Sequence, residues 1–250
     1  MLLMIDIGNT NLSFAMMDEK DRIKYTYKVK TKHIYNAASA MRALKQAFLI
    51  ENTVIASVVP HVCDLMVEAC REKFKKEPIL VNYLTDTGVT IDIENPETTG
   101  ADLIADCAAA YDRFKSECLV VDCGTATKFL YVDNDGHFKY GSIAPGLLLS
   151  AETLWKYTAL LPRVDMYVPN TVLNNETVSC MQSGIMFGYA GMCREIINQF
   201  KKEIGHDFPV IVTGGMAYKI FNLVDEMQYY DPNLIFRGMR VVYERIEEDE

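Results

Sequence analysis

The sequence predicts an α/β fold built twice over, as two mixed-sheet halves flanked by helices. Two widely separated stretches share one pattern: an apolar run, Asp-x-Gly, a hydroxyl residue, a strand, a polar turn and a return strand. Between and after them apolar residues recur at helical spacing, so that helices alternate with strands. The composition, 50% hydrophobic and 24% charged over 250 residues, suits a globular chain with a sizeable core.

The first half opens with an apolar strand at 2–6 running into Gly8-Asn9-Thr10. Strands at 11–17 and 23–29, joined by a polar turn at 18–21, make a hairpin. Helices follow at 37–48, with Met41, Leu44 and Phe48 on one face, and at 62–74, with Leu65, Met66, Ala69 and Cys70 together. A strand at 53–59 ends at Pro60, and a helix at 101–114 closes the half. The second half repeats the opening, with strands at 118–122, 128–132 and 137–142 and an Asp-Gly turn at 135–136. Helices at 147–157 and 178–200 precede a strand at 209–212, which runs into Thr213-Gly214-Gly215 and a further helix. The division expected is residues 1–115 and 116–250, and the acidic tail at 244–250 reads as frayed and solvated.

A formal net charge of −9 argues against a nucleic-acid surface, which needs clustered Lys and Arg. The seven cysteines and four histidines show no C-x-x-C, H-E-x-x-H or finger-like spacing, so neither a zinc site nor a disulfide framework is expected. The first residues, MLLMIDIGNT, read as a strand and turn with no signal-peptide character. No apolar stretch approaches the roughly 20 residues of a membrane span. These features point to a reducing cytoplasm.

The Asp-Gly loops suit phosphate. In Asp6-Ile7-Gly8-Asn9-Thr10, glycine lets the backbone approach an anion, and the amides and hydroxyl can donate to it. Asp6 makes sense facing a Mg²⁺ carried by a nucleotide. Asp122, Gly124 and Thr125 repeat the arrangement, and a cleft between two such loops would hold a nucleotide. Two ordinary hairpin starts would look the same for one loop, less so for a matched pair. Gly214 and Gly215 form a third strand-to-helix loop suited to adenosine or its phosphates. Asp102 begins a predicted helix, where the helix dipole stabilises any carboxylate; its functional alternative is a general base for a hydroxyl attacking phosphorus.

A series of short motifs runs in order along the chain: DIGNTN at 6–11, SVVP at 57–60, NPETTGAD at 95–102, DCGTAT at 122–127, GSIAPGLLLS at 141–150, TALLP at 158–162, TVSCMQSG at 177–184 and VTGG at 212–215. By these motifs the chain resembles type III pantothenate kinases, of the actin-like (ribonuclease H-like) superfamily. The resemblance implies ATP-dependent phosphorylation of pantothenate to 4′-phosphopantothenate, the first step of coenzyme A biosynthesis, in a homodimer whose pantothenate pocket is completed by the neighbouring subunit. It places the first nucleotide loop at Asp6, Ile7, Gly8, Asn9, Thr10, Asn11, Leu12 and Ser13, an ATP contact at Thr125, and the proton acceptor at Asp102. Asp122 matches the position tied to a monovalent cation, K⁺ or NH₄⁺. Ile93, Gly100, Ala101, Asp102, Leu103 and Thr177 occupy substrate-contact positions.

Departures cluster at the acceptor end. The family's GADR reads GADL here, with Leu103 for Arg, and Ile93 stands for a common Tyr. Thr-Thr-x-Asp after the second loop is replaced by Thr127-Lys128-Phe129-Leu130. Leu cannot imitate the donor fork of Arg. The pattern fits weakened pantothenate binding, another hydroxyl acceptor, or a non-catalytic regulatory or accessory paralogue.

Overall fold

Leu3, Met4, Ile5 and Ile7 are all fully buried, so β1 (Leu2–Ile7) is covered on both faces, as a central strand with a parallel neighbour demands. In this computed structural model, which describes residues 1–248, β1 pairs antiparallel with β2 (Asn11–Met17), which pairs in turn with β3 (Ile23–Lys30). Helix α1 (Ala37–Ala43) follows, then β4 (Asn52–Ser57), parallel to β1, α2 (Pro60–Phe74), and the short β5 (Ile79–Leu80). The sheet order is β3-β2-β1-β4-β5. Phe14, Met66, Leu44 and Cys70 pack with β1 in the core of this unit. β6 (Thr90–Ile91) and α3 (Ala101–Phe114) complete its first pass.

The expected helix at 37–48 is shorter than its apolar spacing suggests. An Asn36–Ser39 capping box starts it, but the chain tightens into a 3₁₀ turn at Leu44–Gln46 and then bends at Leu49, whose φ is 53°. Phe48 therefore leaves the predicted face and is 58% exposed. α2 begins and ends on local signals, Pro60 at its first position and Lys75 in a left-handed cap.

The second unit repeats the opening. Strands β7 (Cys118–Cys123) and β8 (Ala126–Val132) are antiparallel, and β9 (His137–Pro145) follows. Then come α4 (Leu147–Lys156), α5 (Thr177–Ile204), β10 (Val210–Thr213), α6 (Ala217–Ile220) and β11 (Tyr229–Tyr230). The strands run in the order β11-β10-β7-β8-β9, with β10 parallel to β7; β6 pairs with His137 and Phe138 at the start of β9. Met181, Met186, Tyr189 and Cys193 line the inner face of α5 against β7 and β10, so the Met-rich helix belongs to the core.

Chain contacts group Met1–Arg113 and Gly136–Phe138 with the C-terminal helix α7 (Leu234–Glu248), and Phe114–Asp135 with Lys139–Asn233. The acidic tail is not frayed as far as Glu248: α7 packs on β1 and β4, with Leu234, Phe236, Met239 and Val242 buried. Arg240 pairs with Asp21 at 2.5 Å, and Arg245 with Asp86 at 2.9 Å. The expectation for 249–250 lies outside the described residues. No helix is long and apolar enough to cross a membrane among the described residues.

Candidate functional site

In the first unit, β1 ends in a loop held from within. Asp6 lies opposite Ser13 in the β1–β2 register. The Gly8 amide donates to the Asn11 carbonyl at 3.0 Å, and a Cβ at Gly8 would press on that oxygen at 3.3 Å. Thr31 fastens the loop from the end of β3: its hydroxyl donates to the Gly8 carbonyl at 2.6 Å and its amide to the Thr10 carbonyl at 3.1 Å. Asn9 and Thr10 are left exposed at the tip, while Ile7 and Leu12 are buried beneath it. Sequence reasoning missed Thr31, which lies outside the motif and meets it only through the hairpin.

The same unit brings Asp102 toward this loop. The Val58 amide donates to the Ile7 carbonyl at 3.0 Å, extending the β1–β4 pairing one residue past the strand ends. A Cβ at Gly100 would sit 3.2 Å from Val58 Cγ1 and would overlap the Asp102 carboxylate, so the carboxylate occupies the space that the missing Cβ leaves. The Gly100 carbonyl accepts from the amides of Leu103 (3.0 Å) and Ile104 (3.2 Å), which starts α3 and sets Asp102 in its first turn. Ala101 is buried; Asp102 and Leu103 are half-buried, as is Ile93 beyond β6. The hydroxyl oxygen of Thr99, next to Gly100, is buried and has no hydrogen-bond partner among the described residues. Thr99 too escaped the sequence reading, since nothing in its residue type distinguishes it from Thr98.

The second unit places Asp122, Gly124 and Gly214 together. Asp122 pairs across the hairpin with Lys128 and lies beside Thr213 of β10. Gly214 has φ +94°, and a Cβ there would come within 2.6 Å of Asp122 Oδ1 and of the Cys123 backbone. The Met216 amide donates to the Cys123 carbonyl at 3.1 Å, tying the Gly214–Gly215 turn to the second loop. A Cβ at Gly146 would overlap the carbonyl oxygens of Gly124 and Thr125, so a glycine distant from the loop in sequence also shapes it. Thr125 is exposed at its tip.

Behind the loop, the Thr127 and Tyr189 hydroxyls lie 2.6 Å apart in the core, and burial pushes the Tyr189 phenol well above its ordinary range. Burial also raises the Cys193 thiol to about 12. These groups stay neutral and serve packing. Lys128 Nζ donates to Asp122 Oδ2 at 3.0 Å, with the two side chains 21% and 14% exposed. Thr177 opens α5 with an exposed side chain, behind the Glu176 carboxylate that caps the amides of Val178 (3.0 Å) and Ser179 (2.9 Å). No hydrogen bond ties Thr177 to Asp122, Gly124 or Gly214 among the described residues.

A family model described as type III pantothenate kinase matches residues 2–199. Type III pantothenate kinases of Bifidobacterium longum subsp. infantis and Agathobacter rectalis are 36% and 35% identical to the chain. Each alignment covers 98% of this chain, with 99% and 97% of the respective relatives. Among solved structures, a conserved Campylobacter jejuni protein described as a Baf family transcriptional activator superposes with TM-score 0.62 at 19% identity, over 98% of this chain and 99% of that one. An inorganic polyphosphate/ATP-glucomannokinase from Arthrobacter sp. strain KM gives TM-score 0.51 at 13% identity, over 100% and 99%. At these identities the structures speak for the fold alone: an actin-like α/β architecture of the sugar-kinase type.

Proposed function

The chain belongs to the type III pantothenate kinase family, and from that premise we propose how its residues perform the phosphorylation of pantothenate that serves coenzyme A biosynthesis. The observation that carries the reading is Asp102: a carboxylate in the first turn of α3, set by Gly100 and linked through Val58 to the end of β1. Asp102 takes the proton of the pantothenate hydroxyl as its oxygen attacks the terminal phosphorus of ATP.

Residues Asp6 to Ser13 bind phosphate through the exposed Asn9–Thr10 tip and the hydroxyls of Thr10 and Ser13; in the second unit Gly124 lets the backbone approach phosphate and the exposed Thr125 donates to it. Gly214 and Gly215 receive the adenosine end of ATP. Among the described residues no three His, Cys, Asp or Glu side chains gather to hold a metal, which suits a Mg²⁺ that arrives on the nucleotide and meets Asp6. When bound, Mg²⁺ neutralises phosphate charge; the chain's own part is to position the two reacting oxygens. A free K⁺ or NH₄⁺ at Asp122 fits the residues less well, because the Lys128 ammonium already holds that carboxylate.

Pantothenate lies against Gly100, Ala101, Leu103 and Ile93, with Thr177 a further contact, and the buried Thr99 hydroxyl would find its partner in a polar group of the substrate. Leu103 supplies no donor there, so affinity for pantothenate is reduced by about 1–3 kcal/mol relative to an Arg at this position. A second copy of the chain is the partner. The support is apolar surface in the second unit, where Tyr140, Ile143, Leu148, Trp155, Tyr157 and Leu160 are all exposed. The cytoplasm, which supplies ATP and keeps thiols reduced, is the compartment for this work.

ADP release dependent on both ATP and pantothenate tests the assignment, and no turnover with Mg²⁺, potassium and ammonium all supplied would overturn it. Leu103→Arg is expected to lower the KM for pantothenate about tenfold or more. ATP binding without transfer to pantothenate or to other alcohols would favour the non-catalytic reading instead.

A further inference from the structure

We propose that the Lys128 ammonium is a built-in cation for the second phosphate loop, taking the place of a free monovalent ion at Asp122. The inference rests on the nucleotide reading of Gly124 and Thr125. It begins from a difference between two otherwise matched hairpins. In the first, the residue directly across from the loop aspartate is Ser13, opposite Asp6. In the second it is Lys128, opposite Asp122. The first aspartate thus has a neutral cross-strand partner and the second a cationic one.

The setting of Asp122 leaves little room for anything else. Its Oδ1 faces the backbone of Gly214, where a Cβ would already come within 2.6 Å. Both carboxylate oxygens lie 3.6 Å from where a Cβ on Gly124 would stand. Oδ2 takes the Lys128 ammonium at 3.0 Å, a charge-assisted bond made where both side chains are largely covered. Register holds the lysine in place: it is the direct partner of Asp122 in a strand flanked by buried Thr127 and Phe129.

The electrostatic consequence bears on nucleotide binding. An uncompensated carboxylate beside Gly124 and Thr125 would repel a triphosphate, most strongly in this partly desolvated setting. A cation on the carboxylate cancels that repulsion. An exchangeable ion does so only at sufficient concentration, whereas a tethered ammonium does so at every salt composition. The chain's nucleotide affinity and turnover should therefore be indifferent to which monovalent cation is dissolved.

The test assays the full chain with Mg²⁺, ATP and pantothenate, with potassium or tetramethylammonium as the only monovalent cation. Wild-type rates are expected to agree within about twofold in the two salts. Lys128→Met, which keeps an apolar stem but no charge, is expected to lose about tenfold in tetramethylammonium and to recover in potassium or ammonium. A wild-type rate that climbs about tenfold with potassium overturns the proposal, as does a Lys128→Met rate equal to wild type in tetramethylammonium.

Calorimetric ATP affinity in the same salts separates this inference from the acceptor assignment. If pantothenate is not phosphorylated in any salt, the acceptor assignment fails, while ATP affinity still decides the role of Lys128. Affinity that is salt-insensitive in wild type and potassium-dependent in Lys128→Met upholds that role. Potassium-dependent wild-type affinity, or no ATP binding in any salt, overturns it. The wild-type arm requires no variant to fold.

Discussion

Asp102 owes its position to its neighbour. Because Gly100 has no Cβ, the carboxylate folds back over the helix start, where the first-turn amides favour a negative charge. If Asp102 is the base proposed above, it should matter to transfer far more than to nucleotide binding. Asp102→Asn keeps the shape and removes the proton acceptor, so kcat is expected to fall by about 10²–10⁴-fold while calorimetric ATP affinity stays unchanged. A parallel loss of ATP affinity would instead mark Asp102 as a nucleotide ligand. At the same scale, the proposals for Leu103 and Lys128 each turn on one side chain, and both residues sit in regular elements, α3 and β8.

Among the elements, the α3–α7 crossing has a direct consequence for stability. A Cβ on Gly238 of α7 would overlap the Ala105 carbonyl of α3, so the two helices touch backbone to backbone. Two effects oppose one another in Gly238→Ala. Helix propensity favours Ala by about 1 kcal/mol, whereas forcing apart a packed crossing costs about 1–3 kcal/mol. The overlap is with backbone, which cannot swing aside, so the steric cost wins. Chemical denaturation should show a net loss of stability; a gain would mean that α7 shifts freely on α3. The β7–β8 hairpin has a comparable brace at its far end, where the Glu117 carboxylate accepts from the Tyr131 hydroxyl at 2.5 Å and meets His206 at 2.7 Å.

For the whole molecule, the exposed residues from Tyr140 to Leu173 set the expected state of assembly. Tyr157 is 83% exposed and Leu160 91% exposed, in a stretch that leaves several large apolar side chains in water. Sedimentation velocity is expected to give twice the chain mass, and the double substitution Tyr157→Glu with Leu160→Glu to give single chains. A monomer at all concentrations for the unaltered chain would remove this surface as the reason for self-association.

The sequence by itself determined the repeated hairpins, the Asp-Gly loops, the start of α3 at Ala101, the start of α2 to within two residues, and the family motifs. All of these are written in short-range periodicity and in residues whose conformational preferences act within a few positions. Only the tertiary structure decided the rest. The acidic tail, which reads as solvated, becomes a helix through Glu248 because its apolar face meets β1 and β4 and its arginines reach Asp21 and Asp86. Phe48 leaves the predicted face because the chain turns at Leu49. Thr31 reaches the first loop, and Lys128 reaches Asp122, only once strand register is set. Such pairings join residues by cross-strand and cross-helix geometry, and no local pattern in the chain encodes which distant group a side chain will meet.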